Sequence, residues 1–107
     1  MQGMNHMIAR MWRGTTRTQD ESAYLAYLQQ TGVRECRATP GNRGVFIFHQ
    51  PAADGTRFMF ISLWEDETAI RAFAGDDITR AVYYPEDRRF LLALEPTVEH
   101  YEALSFG

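Results

Sequence analysis

The sequence of 107 residues predicts an α+β fold of the ferredoxin-like type, a four-stranded antiparallel sheet with two helices on one face. Three observations predict it. Segments with strand and helix periodicity follow one another in the order β-α-β-β-α-β, an Asp-Gly pair separates the two middle strands, and a glycine follows each main helical segment. This order is the split βαβ arrangement. We therefore expect one domain over residues 1–107, with residues 1–6 as a flexible leader.

The first part of the chain predicts one strand and one helix. Apolar and polar side chains alternate over residues 7–13, as they do in a strand with two different faces. Thr18 and Glu21 have the spacing of a capping box, which predicts a helix over residues 19–31. Gly32 then stands where a glycine commonly ends a helix.

The middle of the chain predicts a hairpin followed by a second helix. Apolar runs at residues 45–50 and 57–64 flank the Asp-Gly pair, which is typical of a tight turn between two strands. Asp66 is a suitable N-cap for a helix that ends at Gly75.

The last part predicts two short helical turns and a fourth strand. Asp76 begins the first turn. Pro85 ends it by restricting Tyr84 to extended geometry, and a proline can itself open a following turn, here over residues 88–94. Residues 97–105 alternate again and complete the sheet.

Composition narrows the classes of function. The net charge is -3 and the pI about 5.5, which argues against nucleic acid as a partner. All 11 basic residues are arginines, so Schiff-base chemistry on a lysine is excluded. One cysteine, Cys36, allows no disulfide within the chain and favours a cytoplasmic location. No segment approaches the 18 apolar residues of a membrane span, so we expect no membrane association.

Strands 45–48 and 58–64 are apolar on both faces, whereas two helices can cover only one face of the sheet. A large apolar face left open on a monomer usually marks an interface. The sequence therefore predicts a homodimer that forms through the open face of the sheet.

Several side chains are candidates for a site. Arg10 lies within an apolar strand, so it either pairs with a carboxylate, Glu99 or Glu102, or stabilises a bound anion. His100 is the natural candidate for a general base, although a lone histidine in a strand is more often structural. The adjacent rings of Tyr83 and Tyr84 suggest one ring packed under the second helix and the other in a cleft or at the edge of the dimer. Only His100 and Glu102 have a metal-ligand spacing, and two ligands do not predict a metal site.

The runs MIARMWRG, TPGNRGVFIF, FISLWEDETAIRAFAG and AVYYPEDRRFLLALEPTVEHYE together resemble the antibiotic biosynthesis monooxygenase-like family of the dimeric α+β barrel superfamily. The resemblance covers about residues 7–104. It implies the fold, a homodimer, and cofactor-independent monooxygenation of a small aromatic or apolar substrate in a pocket between helices and sheet. The alternative is a small-ligand-binding or structural dimer without catalysis. The candidate catalytic residues are His100, Arg10 and Tyr83, and the candidate substrate-binding residues are Trp12, Trp64, Phe73 and Tyr84.

Haem-degrading members of the superfamily resemble this chain but carry an Asn on the first strand, a Trp on the second helix and a His ligand further on. Here residues 7–13 contain no Asn, Phe73 stands at the Trp position, and Tyr83 stands at or near the ligand position. We therefore expect neither haem nor any other cofactor, and no metal.

Overall fold

The computed structural model describes residues 4–106, with side chains from His6 onward. Four antiparallel strands form one sheet in the order β2-β3-β1-β4, and the helices pack on one face of it. The strands are β1 (Met4–Thr16), β2 (Asn42–Ala52), β3 (Gly55–Trp64) and β4 (Glu99–Phe106). The helices are α1 (Glu21–Leu28), α2 (Arg34–Ala38), α3 (Glu67–Ala74) and α4 (Asp87–Phe90). The predicted α+β ferredoxin-like fold is confirmed.

The first strand is longer than predicted. The predicted leader, residues 1–6, lies partly outside the described residues. Its described part, Met4–His6, belongs to β1 and pairs with the end of β4. The backbone pairing of β1 with β4 thus extends further than the alternation of side chains indicated, and the flexibility of residues 1–6 stays a prediction.

The first helical segment also continues beyond its predicted end. A 3-10 turn (Thr18–Asp20) leads into α1, and a π turn (Gln29–Val33) joins α1 to α2. The expected capping box does not form, since no side chain caps α1. The Glu21 carboxylate instead accepts from Thr56 Oγ1 at 3.3 Å and lies 2.7 Å from His49 Nδ1. Tertiary contacts with the hairpin have replaced the local cap.

Gly32 does not end the helix, contrary to prediction. It lies within the π turn, is buried, and has no positive φ. A Cβ at this position would come within 3.2 Å of the Phe60 ring. The glycine therefore allows close packing of the helix on β3 rather than a reversal of the chain.

The hairpin and the second helix follow the prediction. Ala52 pairs with Gly55, so residues 53–54 form a two-residue turn. The turn therefore begins one residue before the Asp-Gly pair at residues 54–55. Asp66 caps α3 by accepting from Ala69 N–H at 2.8 Å, and Gly75 ends the helix with φ +91°.

Residues 76–86, here called the 76–86 loop, contain no helix, so the predicted helical turn at Asp76 is wrong. The loop crosses the helical face of the sheet, and Arg10 on β1 donates to two of its backbone carbonyls, those of Ile78 and Arg80. The second predicted turn is shorter than expected, since α4 ends at Phe90. The fourth strand begins at Glu99, two residues later than predicted.

The core lies between the helices and the inner face of the sheet. It contains ten apolar side chains: Tyr24, Leu28, Cys36, Phe58, Phe60, Trp64, Ala69, Ile70, Phe90 and Leu91. The opposite face carries a second apolar set, which we call the open face: Met7, Ala9, Met11, Phe46, Phe48, Met59, Ile61, Leu63, Tyr101 and Ala103. Phe46 and Phe48 are 52% and 54% exposed there.

Over residues 4–106, no helix combines the length and the apolar character needed to cross a membrane.

Candidate functional site

A cavity of about 50 Å³ lies between α1, the inner face of the sheet and the 76–86 loop. Six aromatic side chains form most of its wall: Trp12, Tyr24, Phe60, Phe73, Tyr83 and Tyr84. Two charged side chains, Arg10 and Asp87, also reach it. We call this space the ring-lined cavity. An apolar pocket with a few convergent polar groups is the usual form of a small-molecule site.

Arg10 supplies the positive charge. The alternation of β1 turns it towards the helices, where it is only 4% exposed. Its guanidinium donates to the carbonyls of Ile78 (2.5 Å) and Arg80 (2.8 Å) and lies over the ring of Phe73 at 5.9 Å. Burial lowers the pKa of Arg10 from its usual range, although an arginine remains charged at neutral pH.

Neither of the carboxylates proposed as partners reaches Arg10. Glu99 binds Arg13 at 3.0 Å, and Glu102 lies 3.7 Å from His6. Of the two explanations for Arg10, pairing with Glu99 or Glu102 is therefore excluded. Its cation is compensated by carbonyl dipoles and a ring, which stabilise a buried charge less completely than an anion would.

His100 is the nearest titratable neighbour of Arg10. Arg10 Nη1 lies 3.1 Å from His100 Nε2. Because a guanidinium has only donors, Nε2 must be the unprotonated nitrogen that accepts this bond. Burial, and then the charge of Arg10, lower the pKa of His100 below its ordinary value. His100 is thus neutral, and it lies behind Arg10 rather than in the wall of the cavity.

Trp12 and Tyr83 form a second polar contact in the wall. Trp12 Nε1 donates to Tyr83 Oη at 3.0 Å, and that hydroxyl donates in turn to the carbonyl of Glu95 at 2.6 Å. The two rings meet edge to face, 6.2 Å apart. Burial raises the pKa of Tyr83, so the phenol stays protonated and the contact fixes the loop against β1.

Asp87 supplies the negative charge, and it is also only 4% exposed. Its Oδ1 accepts from the Tyr24 hydroxyl at 2.9 Å, and its Oδ2 accepts from Tyr84 N–H at 2.7 Å. Burial raises the pKa of Asp87, and these two hydrogen bonds lower it in part. The same burial raises the pKa of Tyr24 and Tyr84. The carboxylate is therefore held by neutral donors in an apolar setting.

The structure brings five of the seven predicted site residues together around the cavity: Arg10, Trp12, Phe73, Tyr83 and Tyr84. His100 is linked to the cavity through its hydrogen bond with Arg10. Trp64 is fully buried, where it donates to Ser62 Oγ and stacks on Phe73, so it supports the wall from behind. Both tyrosines of the adjacent pair line the cavity, whereas the sequence suggested one under the second helix and the other in a cleft or at the dimer edge.

Sequence reasoning missed Asp87, Tyr24 and Gly32 as parts of the site. Asp87 looks like an ordinary acidic residue in the first turn of a helix. Tyr24 looks like one apolar position on α1. Of the three, only Gly32 had a signal in the sequence, because a glycine in a helical pattern often marks a close packing contact.

Other reactive groups do not form a site within the described residues. The thiol of Cys36 is buried, and burial raises its pKa to about 12, so it is not a nucleophile. No cluster of three or more His, Cys, Asp or Glu side chains in residues 4–106 is arranged to bind a metal ion.

The model of one protein family, antibiotic biosynthesis monooxygenase, matches residues 7–82. A protein of unknown function from Nitrosomonas europaea is 16% identical with a TM-score of 0.59, over 92% of this chain and 89% of that chain. A protein from Shewanella oneidensis is 13% identical with a TM-score of 0.60, over 94% and 93%.

A third structure, from Bacillus cereus and provisionally designated an antibiotic biosynthesis monooxygenase, is 14% identical with a TM-score of 0.58, over 95% of this chain and 92% of that chain. No curated protein matches the sequence. At these identities the solved structures show that the fold is shared.

Proposed function

This chain belongs to the antibiotic biosynthesis monooxygenase family, and on that premise we propose that it is a cofactor-independent monooxygenase-like enzyme acting on a small aromatic or otherwise apolar substrate. The observation that carries the proposal is the ring-lined cavity with the buried cation of Arg10 in its wall. Aromatic walls suit a planar ring, and a cation with no ion-pair partner among residues 4–106 suits a substrate that becomes an anion.

The chemistry requires no group beyond the substrate and oxygen. Removal of a proton from a phenol or an anthrone gives an electron-rich anion that can reduce O₂ itself. One oxygen atom enters the substrate as a carbonyl, the other leaves as water, and the substrate supplies the electrons. The contribution of the protein is to remove the proton and to stabilise the anion, and Arg10 is placed for the second task.

Substrate entry requires the cavity to expand. A benzene ring occupies a protein cavity of roughly 150 Å³, three times the present space of about 50 Å³. Four residues of the wall lie outside helices and strands, and three of them, Val82, Tyr83 and Tyr84, belong to the 76–86 loop, the fourth being Val98. We therefore assign the opening to this loop.

Oxygen uptake tests the proposal. Wild-type protein is mixed with a panel of phenols, naphthols and anthrone, and O₂ consumption and quinone formation are followed. Arg10→Met should lower the rate by roughly 100-fold or more, as is typical when a group that stabilises a developing anion is removed. Arg13→Met, an exposed arginine on the same strand, is the matched control and should leave the rate unchanged. No uptake with any compound of the panel would contradict the oxygenase proposal.

One observation favours the alternative, a ligand-binding dimer without catalysis. The lone pair that His100 would need as a base already accepts a bond from Arg10. Binding of panel compounds without oxygen uptake would support this alternative. A haem titration without a shift of the Soret band would separate both functions from haem degradation.

The proposal includes a homodimer formed through the open face, and a cytoplasmic location. The open face supports the dimer, since large side chains such as Phe46 and Phe48 remain half exposed on an isolated chain. The single buried cysteine fits a reducing compartment.

A further inference from the structure

We propose that Asp87 is the general base of the ring-lined cavity: it takes the acidic proton of the substrate, while Arg10 in the same wall holds the anion that forms. This inference rests on the proposed function only in assigning a substrate with an acidic O–H or C–H bond to the cavity. It does not require that oxygen react.

The first support is the placement of charge. Arg10 and Asp87 both reach the cavity, and each is 4% exposed. Neither takes part in an ion pair within the described part of the chain. A buried cation and a buried anion that face one small space, without pairing with each other, are costly unless a ligand lies between them.

The second support is the geometry of the carboxylate. Its two oxygens each accept one hydrogen bond, from Tyr24 Oη and from Tyr84 N–H, so each retains a free lone pair. His100 has no such capacity, because its unprotonated nitrogen is occupied by Arg10. Of His100 and Asp87, Asp87 is therefore the one able to accept a proton.

The surroundings of Asp87 suit this role. The groups that act on its charge are phenols: Tyr24 from α1, and Tyr83 and Tyr84 from the 76–86 loop. Arg10 is the one cation that lines the same cavity within the described residues. Arg88 and Arg89 of its own helix are exposed to solvent. A carboxyl group in such an apolar setting is a stronger base than one in water.

The proton transfer is balanced without any further reactant. The O–H or C–H bond of the substrate breaks, and an O–H bond forms on a free lone pair of the Asp87 carboxylate. The negative charge passes from Asp87 to the substrate, next to the guanidinium of Arg10. The product state is thus a neutral carboxylic acid beside a bound anion.

A variant that imitates this product state, with a neutral side chain at residue 87, tests the proposal. Asn has the size of Asp and no charge, so Asp87→Asn imitates the protonated acid and should bind the anion without taking up a proton. The amide can keep both contacts, because its oxygen accepts from Tyr84 N–H while its NH₂ donates to the Tyr24 hydroxyl.

The probe is 4-nitrophenol, whose phenolate is recognised by its absorbance. Binding is measured over a range of pH above the pKa of the free probe. In the wild type, Kd should rise about tenfold per pH unit, because binding of the phenolate is linked to uptake of one proton by Asp87. In Asp87→Asn, Kd should be independent of pH and lower than in the wild type. Glu86→Gln, which neutralises the exposed neighbour, is the matched control and should behave as the wild type.

Tyr24→Phe is the second variant, since it keeps the carboxylate and removes one of its donors. The pKa of Asp87 should rise further, so this variant should bind the phenolate more tightly than the wild type with the same pH slope. Equal slopes in the wild type and Asp87→Asn, weaker phenolate binding in Asp87→Asn, or no binding of the probe by any of the four proteins at millimolar concentration would overturn the proposal. The result does not depend on oxygen uptake, so failure of the oxygenase proposal remains distinguishable.

Discussion

Within the described part of the chain, the hydrogen-bond partners of the buried Arg10 cation are all neutral, so the site holds a positive charge without an ion pair. Its position on the inner face follows from the alternation of β1, so the sequence was sufficient to single it out. Its partners could not be predicted, because two of them are backbone carbonyls of a loop about 70 residues away. A carbonyl carries no side-chain signature, whereas the acids Glu99 and Glu102 stood out in the sequence and proved to lie elsewhere.

Asp87 was not predicted for a similar reason, since its partner is also distant in the sequence. Glu86 and Asp87 are adjacent acids before a short helix, and nothing local distinguishes them. In the structure Glu86 is exposed, whereas Asp87 is buried because Tyr24, 63 residues away, donates to it. Tyr83 and Tyr84 were identified because aromatic residues beside a proline are conspicuous, and the resemblance placed Phe73 and Tyr83 at functional positions.

Substitution of His100 should change how stability depends on pH. The pKa of His100 in the folded protein lies below the ordinary 6.5, so below pH 6.5 the unfolded chain binds more protons than the folded one. Stability should therefore fall as the pH drops from 6.5 towards the folded pKa. His100→Gln keeps an acceptor for Arg10 and removes this titration. Urea unfolding should show a smaller loss between about pH 7.5 and about pH 5.5 in the variant.

The comparison separates His100 from other titrating groups. Asp87 has a raised pKa and so acts with the opposite sign, since its contribution to stability is lost as the pH rises above 3.8, but both proteins retain it. An identical loss of stability in wild type and His100→Gln would contradict the assigned role.

At the scale of elements, strands were predicted better than helix ends. Alternation located β1 and β4 to within a few residues, and apolar runs on either side of the Asp-Gly pair located β2 and β3 equally well. The predictions of helix ends relied on capping side chains. A side chain forms its cap only where no tertiary contact takes up the same polar group. Asp66 has no competitor and caps α3, whereas Glu21 binds the hairpin. The 76–86 loop was misjudged because Arg10, rather than its own helical hydrogen bonds, satisfies its carbonyls.

Two glycines with nearly the same φ should respond very differently to alanine. Gly44 has φ +144° with nothing within 4 Å of its Cβ position, and Gly55 has φ +143° with the Thr16 carbonyl oxygen at 1.9 Å. Gly44→Ala should cost about 1–2 kcal/mol through backbone strain alone. Gly55→Ala adds a clash with backbone and should cost roughly 3 kcal/mol or more. Chemical denaturation of both variants measures the difference, and equal costs would show that the hairpin relaxes.

Loss of the α3 cap should be a smaller effect. Asp66→Ala removes the acceptor for Ala69 N–H and should destabilise the protein by about 1 kcal/mol. Thr68→Ala in the same helix is exposed and loses no cap, so it should be neutral or slightly stabilising. Thermal unfolding of the two variants checks this. A neutral Asp66→Ala would mean that water replaces the cap at no cost.

At the scale of the whole molecule, the sheet separates two apolar surfaces with different uses. The inner surface holds the core and the ring-lined cavity. The open face was evident from the sequence, because β2 and β3 lack the polar positions that a solvated face needs. The proposed dimer would cover this open face.

A charge on the open face should dissociate the proposed dimer. Phe48 is 54% exposed, so Phe48→Glu should leave the fold of each chain intact while placing a carboxylate in the apolar contact. Sedimentation velocity at micromolar concentration should show a dimer for the wild type and a monomer for this variant. Leu104→Glu changes a side chain of similar exposure, 46%, on the opposite face of the sheet and should remain dimeric. A monomeric wild type would contradict the dimer.

Gly32 makes the width of the cavity an adjustable quantity. Because this glycine lies at the floor, between the π turn and Phe60, the distance between helix and sheet depends on the absence of one methyl group. That distance limits the thickness of any planar molecule that can slide between them. Variants that differ only in the size of the side chain at this position should therefore differ in the thickness of the compounds that they bind. The other side chains of the wall stay the same in all of them.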